Sequence, residues 1–334
     1  MKARGLFLVS AALVLVAFFA YGRTVRTYYE LSATLYAMGG VEIEVKGYDT
    51  NPQTFKKAFE EIKQRLTLLE ERMSRFKAGS DIARINELGS TAPVPVDPAT
   101  FQILQTAARI SKDSGGAFDV SILPVIQLWK QASKENQFPA PEGIAATRAK
   151  VSYQGISLNQ GMVRIAPGMG LDLGGIAQGW FADEGLAILR RHGIQRGLVN
   201  CSGEVAVYDD RSQPVPFSIA ILDPRTGKTD RHVALTHGAV ATSGGYYRFV
   251  EIAGRKHSHI LDPQTGRPAE QTASITIQGP TATEADAWST ACAVLAARGT
   301  DPTTVLPKGF RIWSLVLNPT PGKELKDSQE THHD

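Results

Sequence analysis

Cysteine is nearly absent: the 334 residues contain only Cys201 and Cys292. Each lies in an apolar stretch, so both read as buried free thiols rather than as a disulfide. None lies near residue 20, which excludes a lipid-modified N-terminal cysteine. An excess of one charge is absent as well. With 36 Lys+Arg against 33 Asp+Glu, no field points to nucleic acid. The glycine-rich stretch Asp172 to Gly179 lacks the G-x-G-x-x-G spacing of dinucleotide-binding folds. Ser74-Arg75-Phe76-Lys77 matches the S-x-x-K of penicillin-binding enzymes, but Lys228-Thr229 runs into Asp230 and no K-T-G completes the set. A chain of this size yields about one such match by chance. The charge-free run Leu6 to Ala20 is short for a full membrane span.

That run follows Lys2 and Arg4, the layout of a secretory n-region and h-region. Without residues 1–22 the formal charge falls from +3 to +1, because Lys2 and Arg4 leave and no acid does. Phe18 stands two positions before Ala20, and Arg23 and Arg26 follow. Cleavage as a signal peptide and retention as an anchor both remain open. The rest is long enough for one large or two average domains.

Apolar side chains recur at Phe55, Phe59, Ile62, Leu66, Leu69 and Met73, in steps of four and three that predict an amphipathic helix. Asp97-Pro98 predicts an N-cap and N1 proline for a second helix, carrying Phe101, Leu104 and Ile110 and stopped by Gly115-Gly116. Residues 131–150 are polar and proline-interrupted, as in a connector. Val41 to Val45 alternates like a strand, and short strand-like runs follow at Val163 to Ile165, Gly197 to Asn200, Phe217 to Leu222, Ser274 to Ile277 and Arg311 to Leu317. Helices are expected from near Gly175 to Arg191 and from Glu284 to Ala297. Helix and strand do not alternate strictly, so the fold class is α+β, with mixed or antiparallel sheets and packed helices. Residues 319–334 carry almost no large apolar side chain and are expected to be disordered.

Three stretches could carry chemistry. In Thr283 to Thr290, Asp286 and Thr290 are four apart and stack on one helix face. A carboxylate and a hydroxyl so placed suit a hard cation such as Mg²⁺. Thr283 to Asp286 equally matches a capping box. Asp172-Leu173-Gly174-Gly175-Ile176-Ala177-Gln178-Gly179 leads into a helix and suits either a phosphate or tight strand-to-helix packing. Finally, His257-Ser258-His259-Ile260-Leu261-Asp262-Pro263-Gln264-Thr265-Gly266 is dense in polar and turn-forming residues. Its second half is a turn signal, repeated at Asp223-Pro224-Arg225-Thr226-Gly227, so the histidines carry any functional case.

Taken together and in order, these segments resemble the ApbE family of FAD:protein FMN transferases over roughly residues 33–318. Tyr36-Ala37-Met38-Gly39-Gly40 is similar to the family's A-M-G-T, and Met73-Ser74-Arg75-Phe76 with Ser80-Asp81-Ile82 and Ile85-Asn86 to M-S-T-Y, S-E-I and N. Gly116-Ala117-Phe118-Asp119 with Pro124 and Leu128-Trp129 resembles G-A-F-D-x-x-x-x-P-L-V-x-L-W. Leu171 to Gly179 resembles I-D-L-G-G-I-A-K-G, Thr242-Ser243-Gly244 and His259 to Gly266 resemble T-S-G and H-I-I-D-P-x-T-G, and Ala285 to Ala291 resembles A-D-A-W-A-T-A.

The resemblance implies a catalytic domain over 23–318 with its flavin site in a cleft between two subdomains. It implies a Mg²⁺-dependent enzyme at the periplasmic side of the bacterial inner membrane that takes FAD as substrate. FMN would be joined through its phosphate to a Thr or Ser of an exported acceptor, such as a membrane electron-transfer subunit, and AMP released. Met38, Phe76, Ala117, Phe118, Asp119, Asp172, Gln178 and Ile260 would line the flavin site. Gly175 and Ser289 through their carbonyls, with Asp286 and Thr290, would hold the metal. His259 rather than His257 would stand beside the pyrophosphate, as base or phosphate-contacting donor; imidazoles titrate near neutrality and suit proton transfer. Three departures stand out: Gln178 where lysine is frequent, Gly40 for threonine, and no lipid-bearing cysteine. An FAD pyrophosphatase and a non-catalytic flavin-binding protein are the competing readings.

Overall fold

The computed structural model describes residues 29–244, 249–270 and 272–318. The N-terminal apolar segment 1–22 and the tail 319–334 lie outside the described residues. The described chain runs β1 (Tyr29–Ala37), β2 (Val41–Asp49), α1 (Pro52–Met73), α2 (Asp81–Leu88), β3 (Val94–Pro95), α3 (Pro98–Asp113), α4 (Leu123–Glu135) and α5 (Pro141–Arg148). It continues with β4 (Ile156–Asn159), β5 (Met162–Ile165), α6 (Ala177–Arg191), β6 (Arg196–Cys201), β7 (Glu204–Asp209), β8 (Phe217–Leu222), β9 (Thr229–Leu235) and β10 (His237–Gly244). Two short hairpins follow, β11 (Phe249–Ile252) with β12 (Arg255–Ser258) and β13 (Leu261–Asp262) with β14 (Arg267–Pro268). The last elements are β15 (Thr272–Gly279), α7 (Ala282–Ala297) and β16 (Arg311–Leu317).

A seven-stranded sheet in the order β1-β2-β6-β7-β10-β15-β16 forms the centre, with every neighbouring pair antiparallel. The fold is α+β. On one face of the sheet the alternate residues Ile43, Val45, Val199 and Cys201 are fully buried, and they pack with the apolar stripes of α1, α6 and α7 in the main core. Each fully buried Ile, Leu or Val contributes about 1.5–3 kcal/mol there. The stripe on α1 comes as the spacing predicts, with Phe55, Ile62, Leu66, Leu69 and Met73 buried. The helix starts earlier, at Pro52, because Asn51 caps it.

The opposite face is half covered. The β8–β9 hairpin lays Phe217, Ile219 and Ile221 on Val205, Val207 and Val240. Beyond the hairpin, the outward residues of β2 and β6 include Glu44, Lys46 and Asn200. Period-2 alternation thus turns a polar set away from the helices and leaves it uncovered.

Several expectations needed correction. Residues 131–150 are not a plain connector: α4 continues to Glu135, Asn136 ends it in a left-handed conformation, and Pro141 starts α5 at its N1/N2 position. The proline that suggested an interruption initiates a helix. The alternation of β9 and β10 is broken by polar residues on a partly covered face, and neither strand was predicted. Cys201 and Cys292 are both buried and free.

Candidate active site

A cleft of about 1050 Å³ opens where the uncovered part of the sheet meets α4 and the loops around it. That is at the upper end for small-molecule sites and has room for a dinucleotide-sized ligand. Glu44, Lys46, Asn200 and Thr242 form its floor, and β8 forms one wall. The loop Ala117-Phe118-Asp119 with Trp129 and Lys130 forms the other. Asp172, Gly175 and Gln178 before and within the start of α6, His259 and Ile260 between β12 and β13, and Asp286 and Thr290 on α7 also line it.

Asp286 and Thr290 lie one turn apart on α7. Asp286 is buried, and its Oδ2 accepts the N–H of Gly179 at 3.1 Å. Thr290 Oγ1 is 3.1 Å from Ser243 Oγ. A Cβ on Gly175 would lie 3.2 Å from Thr290 Oγ1 and 3.3 Å from Phe118 Cε2, so the Gly175 backbone runs directly against Thr290. Ser289 is buried; its hydroxyl donates to the Asp286 carbonyl at 2.8 Å and lies 2.6 Å from Ser243 Oγ. Among the described residues no group of three or more His, Cys, Asp or Glu comes together as a metal site. The side-chain donors here are the Asp286 carboxylate and the hydroxyls of Thr290, Ser289 and Ser243, an all-oxygen set that fits Mg²⁺ and not a thiophilic metal. Burial pushes the nearby Cys292 thiol up to about 12, so it remains protonated.

The expected capping box at Thr283 and Asp286 is not the one formed. Thr281 is the N-cap, and its side chain accepts the Glu284 N–H at 3.2 Å. The helix begins two residues earlier than the box required because Asp183 binds the N–H groups of Ala282 and Thr283. Asp286 is therefore not a capping carboxylate.

The glycine-rich approach to α6 is fixed from both sides. Asp172 donates its N–H to Val120 O at 2.8 Å and accepts the Gly174 N–H at 2.8 Å, and its Oδ2 pairs with Arg75 Nε. Asn86 clamps the preceding residue, accepting the Leu171 N–H at 2.6 Å and donating to its carbonyl at 3.0 Å. Gln178 Nε2 comes 3.5 Å from Cys201 O. In the opposite wall Asp119 accepts from Ser121 N–H (2.8 Å), Ser121 Oγ (2.7 Å) and Tyr153 N–H (2.7 Å). Burial pushes its carboxyl up, and those donors oppose the shift. Its role there is to hold the loop that carries Ala117 and Phe118.

Met38 and Phe76 lie outside the cleft walls. Met38 sits in the β1–β2 turn at φ 51°, with its N–H bound to Glu70 Oε2 at 2.9 Å. Phe76 is 75 % exposed, with the Arg75 guanidinium 3.9 Å and Lys130 Nζ 5.6 Å from its ring centre. Arg75 and Lys130 do line the cleft. They supply cations that the absence of lysine at 178 had left in question, and sequence reasoning missed both. Arg75 was legible only as a neighbour of Phe76, since its partner Asp172 is 97 residues away.

The two histidines separate cleanly. His257 is buried, paired through Nδ1 with Glu270 and packed edge-on to Phe138 at 5.2 Å. His259 is exposed and faces the cleft. The turn behind it is pinned: Gly266 N–H donates to Asp262 O at 2.8 Å, Trp129 Nε1 to Gly266 O at 2.8 Å, and Gln264 Nε2 to Gly115 O at 2.8 Å. The copy at Asp223 closes with the same Gly227 N–H to Asp223 O bond, 2.8 Å, and its glycine has the same φ of 68° as Gly266. Turn and histidine are thus separable features.

Arg298, the C-cap of α7, donates through Nε to Asp262 Oδ2 at 2.8 Å and so ties the histidine turn to the helix of Asp286. Burial pushes the Asp262 carboxyl up, but Arg298 and the Gln264 N–H outweigh it and hold the group below its ordinary 3.8. A depressed carboxyl contributes stability above its unfolded pKa and loses it as pH falls through the folded value. Arg298→Met is therefore expected to cost about 2 kcal/mol near neutral pH. The difference from wild type should narrow as pH falls below the ordinary 3.8 and through the depressed folded value, read as melting temperature against pH.

The sequence model of the ApbE family matches residues 38–302. The chain is 33% identical over 248 residues to the FAD:protein FMN transferase of Escherichia coli (strain K12), covering 71% of this chain and 70% of that protein. Its structure is similar to the crystal structure of the ApbE protein from Thermotoga maritima, with TM-score 0.76 and 29% identity over 87% of this chain and 94% of that one. It is also similar to the apo form of the Pseudomonas stutzeri flavinyl transferase ApbE, with TM-score 0.69 and 28% identity over 80% and 85% of the two chains.

Proposed function

The chain belongs to the ApbE family, and from that membership we propose that it is an FAD:protein FMN transferase. In the proposed reaction a Thr or Ser hydroxyl of an exported acceptor attacks the FMN phosphorus of FAD. One P–O bond forms to the acceptor oxygen, the P–O bond to the adenylate breaks, and AMP leaves. The observation that carries this reading is the meeting of Asp286, Thr290, Gly175 and His259 on one cleft of dinucleotide size.

Asp286 and Thr290, with the carbonyls of Gly175 and Ser289, would hold Mg²⁺. When bound, the cation offsets charge on the pyrophosphate oxygens, the main barrier in phosphoryl transfer. Arg75 and Lys130 supply further positive charge to the cleft. The walls formed by Phe118, Trp129 and Ile260 exclude water around the flavin and favour the acceptor hydroxyl as nucleophile. His259 accepts the proton that the hydroxyl loses as the new bond forms. His259→Ala is expected to slow transfer about 10²-fold or more. FAD affinity, followed by fluorescence titration, should change far less, and an equal loss in both would reduce His259 to a binding role.

We place the enzyme on the periplasmic side of the bacterial inner membrane on the strength of Lys2, Arg4 and the apolar run Leu6 to Ala20. The acceptor would be an exported protein such as a membrane electron-transfer subunit. Cells with and without this chain provide the test. Exported proteins should lose in-gel flavin fluorescence, and the mass of one FMN, when the chain is deleted. Unchanged covalent flavin would overturn the proposal.

A further inference from the structure

Asp183 is a half-buried carboxylate that the flavin chemistry above does not use. It lies on α6 four residues after Gly179, on the same helix face. Its oxygens take three donors from the start of α7. Oδ1 accepts the Ala282 N–H at 2.9 Å, and Oδ2 accepts the Thr283 N–H at 2.8 Å and the Thr283 hydroxyl at 2.5 Å. Burial pushes this carboxyl up, against the pull of those donors. A carboxylate partly withdrawn from water between two helices costs desolvation free energy that an apolar side chain would not. The helix start already has a capping side chain in Thr281. A second, acidic cap exceeds what α7 needs merely to form.

The contacts on the same two helices say what the extra cap fixes. Gly179 N–H meets Asp286, and four residues further along α6, Asp183 meets residues three and four positions back along α7. The helices are therefore antiparallel here and joined at two levels, one of which is the Asp286 carboxylate itself. A slip of α7 by one residue would turn Asp286 and Thr290 by about 100°. We infer that Asp183 is a positioning residue of the metal site: it sets the register of α7 on α6, so that Asp286 and Thr290 present their oxygens to the cation together. The inference rests on reading those two residues as magnesium ligands. Aspartate suits the task because three donors face it; an asparagine amide would turn its NH₂ against an N–H.

The test uses the full chain in detergent, with magnesium chloride as the only added ligand and thermal denaturation as the readout. In Asp183→Asn the magnesium concentration giving half of the rise in melting temperature should increase about tenfold or more. FAD affinity measured without magnesium should stay within about threefold of wild type, since Asp183 does not line the cleft. Thr283→Val, which removes only the hydroxyl bond, should shift the magnesium midpoint in the same direction by about threefold. An unchanged midpoint in folded Asp183→Asn would overturn the inference, and if that variant does not fold, an unchanged midpoint in Thr283→Val does so. A wild-type protein with no magnesium-dependent rise would instead contradict the metal reading itself, and the inference would fall with it.

Discussion

Asp286→Ala is expected to lose transfer activity by about 10³-fold or more. The carboxylate is the one anionic donor of the proposed cation site, and the remaining hydroxyl and carbonyl oxygens offer no charge to replace it. The same side chain also accepts the Gly179 N–H, so alanine removes a helix-to-helix contact as well. Asp286→Asn separates the two effects. The amide oxygen can still accept from Gly179 while the charge is gone, so this variant should keep its melting temperature and lose activity nearly as far as alanine. Steady-state transfer with magnesium in excess measures both. Full activity in folded Asp286→Asn would remove the carboxylate from the chemistry.

Gly179→Ala should destabilise the protein by about 3 kcal/mol or more, although alanine favours helix by about 1 kcal/mol. A Cβ at this position would stand 2.2 Å from the carbonyl oxygen of Ala282, 2.5 Å from its carbon and 2.7 Å from the Thr283 nitrogen. All three are backbone atoms, so no rotamer change relieves the overlap and α7 has to move. The expected fall in melting temperature is roughly 6–12 °C. Gly185, on the same helix, is the control. A Cβ there meets only side-chain atoms, of Val199 at 3.3 and 3.4 Å and of Ile62 at 3.7 Å, and Gly185→Ala should stay within about 1 kcal/mol of wild type. Because α7 carries Asp286 and Thr290, folded Gly179→Ala should also bind magnesium more weakly. Equal stability of the two glycine variants would contradict the close helix contact.

Local patterns were the legible part of this chain. The α1 stripe, the Asp97-Pro98 start of α3 and the Asp262 turn each depend on residues within a few positions, where spacing and cap chemistry decide the outcome. The i, i+4 pair Asp286 and Thr290 was readable for the same reason. What the pattern could not give was partnership across the fold. Arg75 with Asp172 and Asp183 with Thr283 are separated by 97 and 100 residues. Only the folded chain brings them together. The capping box went wrong on this account, since a carboxylate from another helix shifted the start of α7. Strands β9 and β10 went unseen because polar residues interrupt the apolar alternation that sequence reading needs.

In the proposed reaction this cleft moves FMN from FAD onto a protein hydroxyl. The most direct measurement mixes the purified protein with FAD, magnesium and an exported protein that loses covalent flavin in cells without this chain. AMP release and flavin fluorescence on the denatured acceptor are then followed together. One AMP is expected for each flavin attached, and neither product with Asp286→Asn. AMP and free FMN with an unlabelled acceptor would identify an FAD pyrophosphatase instead, and FAD bound but intact would leave only a flavin-binding protein.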